Sequence, residues 1–139
     1  SAKDWRGCDA LLARLQGPRP KLAALVGYVR ALRTHGNTRR LVRLTKEHRA
    51  ALRADDFAWG IAGHALSLVD DRATVDWMQD WPKRKSSPWA LNGLAISLRH
   101  LGRADEAVRV SRRALQLPAM PVPDTQRVMA TTRRFFLNA

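Results

Sequence analysis

Apolar residues recur along this chain at intervals of three and four, the spacing that gathers them on one side of an α-helix. Leu22, Leu25, Val26, Val29 and Leu32 follow it, and so do Leu41, Leu44, His48, Ala51 and Leu52. Helix-ending residues separate the stretches. Asp4 is placed to cap a first helix over 4–15, with Cys8, Leu11, Leu12 and Leu15 on its apolar side. Gly17-Pro18-Arg19-Pro20 ends it, because proline donates no hydrogen bond and pushes the preceding residue out of the α region. A helix over 22–34 turns at His35-Gly36-Asn37 into one opened by Thr38 and running through Leu52. Asp55-Asp56 precede a helix over 57–69. Asp70-Asp71 break it and cap 72–81, which Pro82 stops. After a basic loop at 83–87, Pro88 opens a helix reaching about Leu101. Gly102 closes it, and Asp105-Glu106 favour the start of the next, which runs to Leu117. Pro118, Pro121 and Pro123 form an extended connector, and Asp124 caps a final helix over 124–137. Period-two alternation and hairpin turns are missing, so the pattern predicts an all-α chain of about eight helices.

Residues 88–118 carry a further regularity. Leu91, Leu94-Ala95, Leu98, Gly102, Ala107, Ala114 and Pro118 stand in a large, small, apolar and turn order. With its local sequence LGRADEA, this segment resembles a tetratricopeptide repeat. Thirty-two residues upstream the equivalent positions hold Trp59, Ala62-Gly63, Leu66, Asp70 and Val75. A further 34 upstream they hold Leu25, Tyr28-Val29, Leu32, Gly36 and Leu41. The family period is about 34. The resemblance implies a right-handed α–α superhelix of about three helix pairs in a single domain, 1–139. Its units are 22–55, 56–87 and 88–121, and the helices at 4–15 and 124–137 cap its ends. In the second unit Pro82 falls where the third has Ala114, so the second helix there is expected to end early.

Composition sharpens the picture. The chain of 139 residues holds 25 Lys+Arg against 12 Asp+Glu, a formal net charge of +13. That balance points to anionic partners. Arg supplies 20 of the 25 cations, and this Arg- and Ala-rich usage also fits the GC-rich genome of a bacterium. One cysteine excludes an internal disulfide framework and a cysteine-based zinc site. The longest uncharged runs are about 13 residues, too short for a membrane span of roughly 20. The sequence opens Ser1-Ala2, without Met, so it is expected to be a cytoplasmic segment of a longer chain, with room for an anchor outside it.

Chemical motifs are sparse. The sequence has no Gly-rich phosphate loop and no G-x-S-x-G. Cys8 sits on an apolar face, as a small hydrophobe would. His35, His48, His64 and His100 make no metal-ligand spacing. Asp76 and Asp80 lie one turn apart and are expected on a solvated face. No enzymatic activity, cofactor or metal is expected.

A binding role is. In the repeat family the first helix of each pair lines a concave groove. That implies groove positions at Val26, Arg30 and Arg33, then Phe57, Gly60, Ile61, His64 and Ser67, then Trp89, Asn92, Gly93, Ile96, Arg99 and His100. Asn92 suits peptide backbone, Arg30, Arg33 and Arg99 suit carboxylates, and Phe57 with Trp89 suits an apolar side chain. His64 and His100 complete the candidate site. The expected function is a protein-interaction scaffold binding an acidic or C-terminal peptide segment. Two alternatives stand beside it. Arg39, Arg40, Arg43, Lys46, Arg49 and Arg53, with Lys83-Arg84-Lys85 and Arg109, Arg112 and Arg113, form a footprint for nucleic acid. Phe135-Phe136-Leu137 would serve self-association into a homo-oligomer.

Small residues set how closely the paired helices approach. Ala95→Phe is therefore expected to lower stability by about 1–3 kcal/mol through overpacking, measured by urea denaturation.

Overall fold

Four side-chain caps start the helices. Asp4 accepts the backbone N–H of Gly7, Asn37 that of Arg40, Asp55 that of Ala58 and Asp70 that of Ala73, at 2.8–3.2 Å. Each satisfies one of the N–H groups that a helix start leaves orphaned. Pro18 and Pro88 occupy first-turn positions, where the missing donor costs nothing. The computed structural model describes residues 4–121. They form α1 (Trp5–Arg14), α2 (Pro18–Thr34), α3 (Thr38–Glu47), α4 (Arg49–Arg53), α5 (Asp56–Ser67), α6 (Asp71–Met78), α7 (Pro88–His100) and α8 (Ala104–Gln116). A short 3₁₀ turn, Trp81–Lys83, follows α6. Among the described residues the protein is all-helical, without strands. No helix among them is long and apolar enough to cross a membrane. The expected helix at 124–137, with Phe135-Phe136-Leu137, lies outside the described residues.

Two turns share one construction. Gly36 and Gly102 adopt φ of 66° and 77°. At each, the glycine N–H and the next N–H reach back to carbonyls of the preceding helix: Gly36 to Arg33, Asn37 to Leu32, Gly102 to Arg99 and Arg103 to Leu98. This double closure needs a left-handed residue, which glycine adopts without Cβ strain. It reverses the chain so that α2 meets α3, and α7 meets α8. α5 and α6 form the intervening pair. The first helices of the three pairs are neighbours, with α5 against α2 on one side and α7 on the other.

Glycine permits that closeness within α5 and α7. A Cβ at Gly63 would sit 2.4 Å from Met78 Sδ on α6, and one at Gly93 would sit 2.7 Å from Ser67 Oγ on α5. Gly93 is thus a packing residue of the α5–α7 seam rather than a groove position. Ile61 is likewise fully buried. The helix expected to run from Thr38 through Leu52 is broken at His48, whose φ and ψ of −112° and 29° leave the helical region. The break re-aims α4, so Leu52 is buried and Arg53 reaches the end of α6. α6 stops at Met78, three residues before the expected Trp81.

The most connected polar structure lies around α6. The Trp59 indole donates to the Trp77 carbonyl at 3.3 Å, and the Trp77 indole donates to the Trp59 carbonyl at 3.0 Å. Arg53 also donates to the Trp77 carbonyl and packs its guanidinium over that indole. Arg84 covers Trp59 and donates to the Arg53 carbonyl. Both arginines pair with Asp80, at 2.7 and 3.0 Å, and Arg84 also reaches Asp56 at 3.1 Å. Asp80 is therefore an ion-pair centre, not part of a solvated face. Burial alone would raise its carboxyl. The hydrogen bonds and charges of Arg53 and Arg84 outweigh that and hold it below the ordinary range. A depressed carboxyl stabilises the fold above the unfolded-state value near 4, and this is lost as pH falls through the folded one. Asp80→Asn is expected to lower stability by about 1–3 kcal/mol at neutral pH and to lose less than the wild type on acidification to about pH 3. Urea melts at the two pH values measure both.

Candidate functional site

The shared face of α2, α5 and α7 brings five of the eight expected site residues into one cluster. Phe57, in the first turn of α5, is 53% exposed. Its ring meets Trp89 of α7 edge to face, with centroids 6.5 Å apart. Trp89 is only 7% exposed. Its other neighbour is His64, one helical stretch along α5, again edge to face at 5.5 Å. Arg30 Nη1 of α2 lies 3.5 Å from His64 Nδ1. Arg33, one turn further, is close enough for its charge to act on both Arg30 and His64.

The remaining three are placed differently. Asn92 and Arg99 are exposed on α7. Their spacing from Trp89, three and ten residues, keeps them on its side of the helix. His100 is drawn away to α6, where Nδ1 lies 3.0 Å from Asp71 Oδ2, and so does not approach His64. Arg30 was expected to point into the groove as a surface cation. It is instead wholly buried, among the largest side chains of the interior.

The electrostatics of the cluster are one-signed. Burial, and then the charge of Arg33, work against the Arg30 cation, and burial acts similarly on Arg33. Burial, Arg33 and Arg30 together push His64 down to about 4, so its ring is neutral near pH 7. A guanidinium can only donate, so His64 Nδ1 is the acceptor in that contact and its proton sits on Nε2. Arg33 Nε and Trp89 Nε1 are buried and have no hydrogen-bond partner among the described residues.

Other arginines are treated differently. Arg40 pairs with Asp9 at 2.6 Å, and Arg43 lies near Asp9 and Glu47. Arg49 pairs with Asp76, and Arg53 with Asp80. Four members of the basic stripe on α3 and α4 are thus matched to carboxylates of this chain. Among the described residues, no carboxylate pairs with Arg33 or Arg99.

Two cavities adjoin the cluster, one on each side of Phe57. The first, of about 340 Å³, is mainly apolar and lined by Arg19, Leu22, Ala23, Val26, Gly27, Asp55 and Phe57. The second, of about 290 Å³, is lined by Asp56, Phe57, Gly60, Lys85, Ser86, Ser87, Trp89 and Met120. Val26 and Gly60 were expected to face the groove; Leu22, Ala23 and Lys85 were not. Leu22 lies one turn before Val26 on the same face of α2, and that spacing is the signal that could have found it. A Cβ at Gly60 would make only ordinary contacts, at 3.5 Å from Ala90 and Trp89. Helix packing therefore does not demand glycine there, and its missing side chain leaves the second cavity open.

Elsewhere, burial first and the charges of Asp4 and Asp9 next push the Cys8 thiol up to about 11, which keeps it protonated. No family model matches the chain, and no match was found among curated proteins or solved structures.

The two aromatic residues are expected to respond differently to truncation. Phe57→Ala should change stability by less than about 1 kcal/mol, because half the ring is already in water. Trp89→Ala should cost about 3–5 kcal/mol through the cavity it leaves. Thermal melts of the two variants measure the difference.

Proposed function

We propose that this chain is a protein-interaction module of tetratricopeptide-repeat type, working in a cytoplasmic setting. Its three hairpins are read as one right-handed stack, and the α2–α5–α7 face as a groove for an extended acidic peptide segment. The neighbouring positions of α2, α5 and α7 support the stack. The observation that carries the function is the contrast in charge pairing. Arg40, Arg43, Arg49 and Arg53 on α3 and α4 are matched within the chain, while Arg33 and Arg99 have no carboxylate partner among the described residues. Phe57 of the same cluster lines a mainly apolar cavity, so this face offers both a charge to neutralise and a place for a hydrophobic side chain. The helices are formed before the ligand arrives, which limits the ordering cost of binding. The same contrast weakens the nucleic-acid reading, since phosphate would have to compete with Asp9, Glu47, Asp76 and Asp80 for Arg40, Arg43, Arg49 and Arg53.

Arg33→Glu combined with Arg99→Glu is expected to weaken capture of a glutamate- and leucine-containing peptide by roughly tenfold or more, since each charge-assisted bond contributes about 1.5–3 kcal/mol. Isothermal titration measures the affinity, and circular dichroism checks that the variant stays helical. Unchanged affinity in a folded variant would reject the groove.

A further inference from the structure

An acidic ligand needs a place for a carboxylate, and one end of the groove brings the charges of two arginines to bear on a single imidazole. His64 stands there between α2 and α7. From α2 it faces Arg30 and Arg33, and from α7 it faces the uncharged indole of Trp89. Its neighbours one turn away on α5, Gly60, Ile61 and Ser67, carry no charge. The charges acting on the ring among the described residues are therefore both positive.

We propose that the Arg33–His64 end of the groove is a carboxylate subsite in which His64 takes up a proton as the ligand binds, so that mild acidification strengthens capture. The inference rests on the acidic-peptide reading above and adds to it a site and a proton.

The argument follows from sign and geometry. In the free protein the ring is neutral, with Nδ1 accepting from Arg30 and the proton on Nε2. Half-burial and two nearby cations keep it so, down to about pH 4. A carboxylate seated at Arg33 reverses the local balance: it cancels one cation and places an anion beside the imidazole. An opposite charge within a few ångströms favours the charged form. Protonation also turns Nδ1 from acceptor to donor. Two donors cannot share that contact, so it opens. Because the bound complex holds the proton more tightly than the free protein, affinity rises as pH falls through the bound-state value. At still lower pH the carboxylates of the ligand are themselves protonated and capture declines. Binding should therefore peak in mildly acidic solution.

The test uses an acetylated peptide of alternating glutamate and leucine as probe. Imidazole resonances are followed by NMR through a pH titration, with and without peptide. His64 is expected to titrate near 4 in the free protein. With peptide bound it should move to about 6.5, which makes affinity at about pH 5.5 roughly tenfold higher than at about pH 7.5. His64→Gln should bring that ratio close to one, whatever its absolute affinity. If the peptide binds but His64 does not shift, or the variant keeps the ratio, the proton-coupled subsite is wrong and the groove stands. If the peptide binds at neither pH, both fail. If a single-stranded RNA shifts His64 and the peptide does not, the subsite belongs to phosphate and the proposal is overturned.

Discussion

The reciprocal bonding of Trp59 and Trp77 sets the geometry on which the rest of the structure depends. Each indole N–H finds the other residue's carbonyl, so two large side chains are buried without leaving a donor orphaned. The exchange fixes the register of α6 against α5. It also creates a flat aromatic surface on which Arg53 and Arg84 lie before converging on Asp80. Those arginines come from different places: Arg53 from the end of the first hairpin, Arg84 from the connector leading to the third. One carboxylate thus ties the end of the first hairpin to the connector leading to the third, beside α5. That helix carries Phe57, Gly60 and His64, so the candidate groove is held in shape by contacts remote from it.

The distribution of charge makes functional sense of an otherwise undifferentiated excess of arginine. Taken as a sum, the net charge of +13 suggests a phosphate-binding surface. Taken residue by residue, part of it is already engaged within the chain. Arg40, Arg49, Arg53 and Arg84 hold helices together through Asp9, Asp76, Asp80 and Asp56. Arg30 and Arg33 instead face His64, with burial working against the charge of both.

Much of the fold was legible in the sequence because its signals are local. Asp4, Asn37, Asp55 and Asp70 mark helix starts through their own side chains, Gly36 and Gly102 mark ends through backbone conformation, and Pro82 announces the early end of α6. The candidate site was legible in part. Arg30, Arg33, Phe57, His64 and Trp89 were all on the expected helices and do meet. Their depth could not be read, because α5 and α7 are apolar around most of their circumference and periodicity then names no outer side. Ile61 and Gly93 were misplaced for that reason, and Arg30 proved buried. The break at His48 has no glycine or proline to announce it. Pairings such as Arg84 with Asp56, or His100 with Asp71, join residues nearly a full repeat apart, and only the packed helices bring them together.

Phe57 forms a wall of both cavities, and a shared wall makes them interdependent. A change of Phe57 between staggered rotamers would redistribute space between the two cavities. Two side chains entering both cavities together would then compete for the space that this ring governs. If the proposed groove takes a peptide, discrimination there would operate on pairs of ligand residues, with a bulky group at one position tolerated beside a slender one at the next.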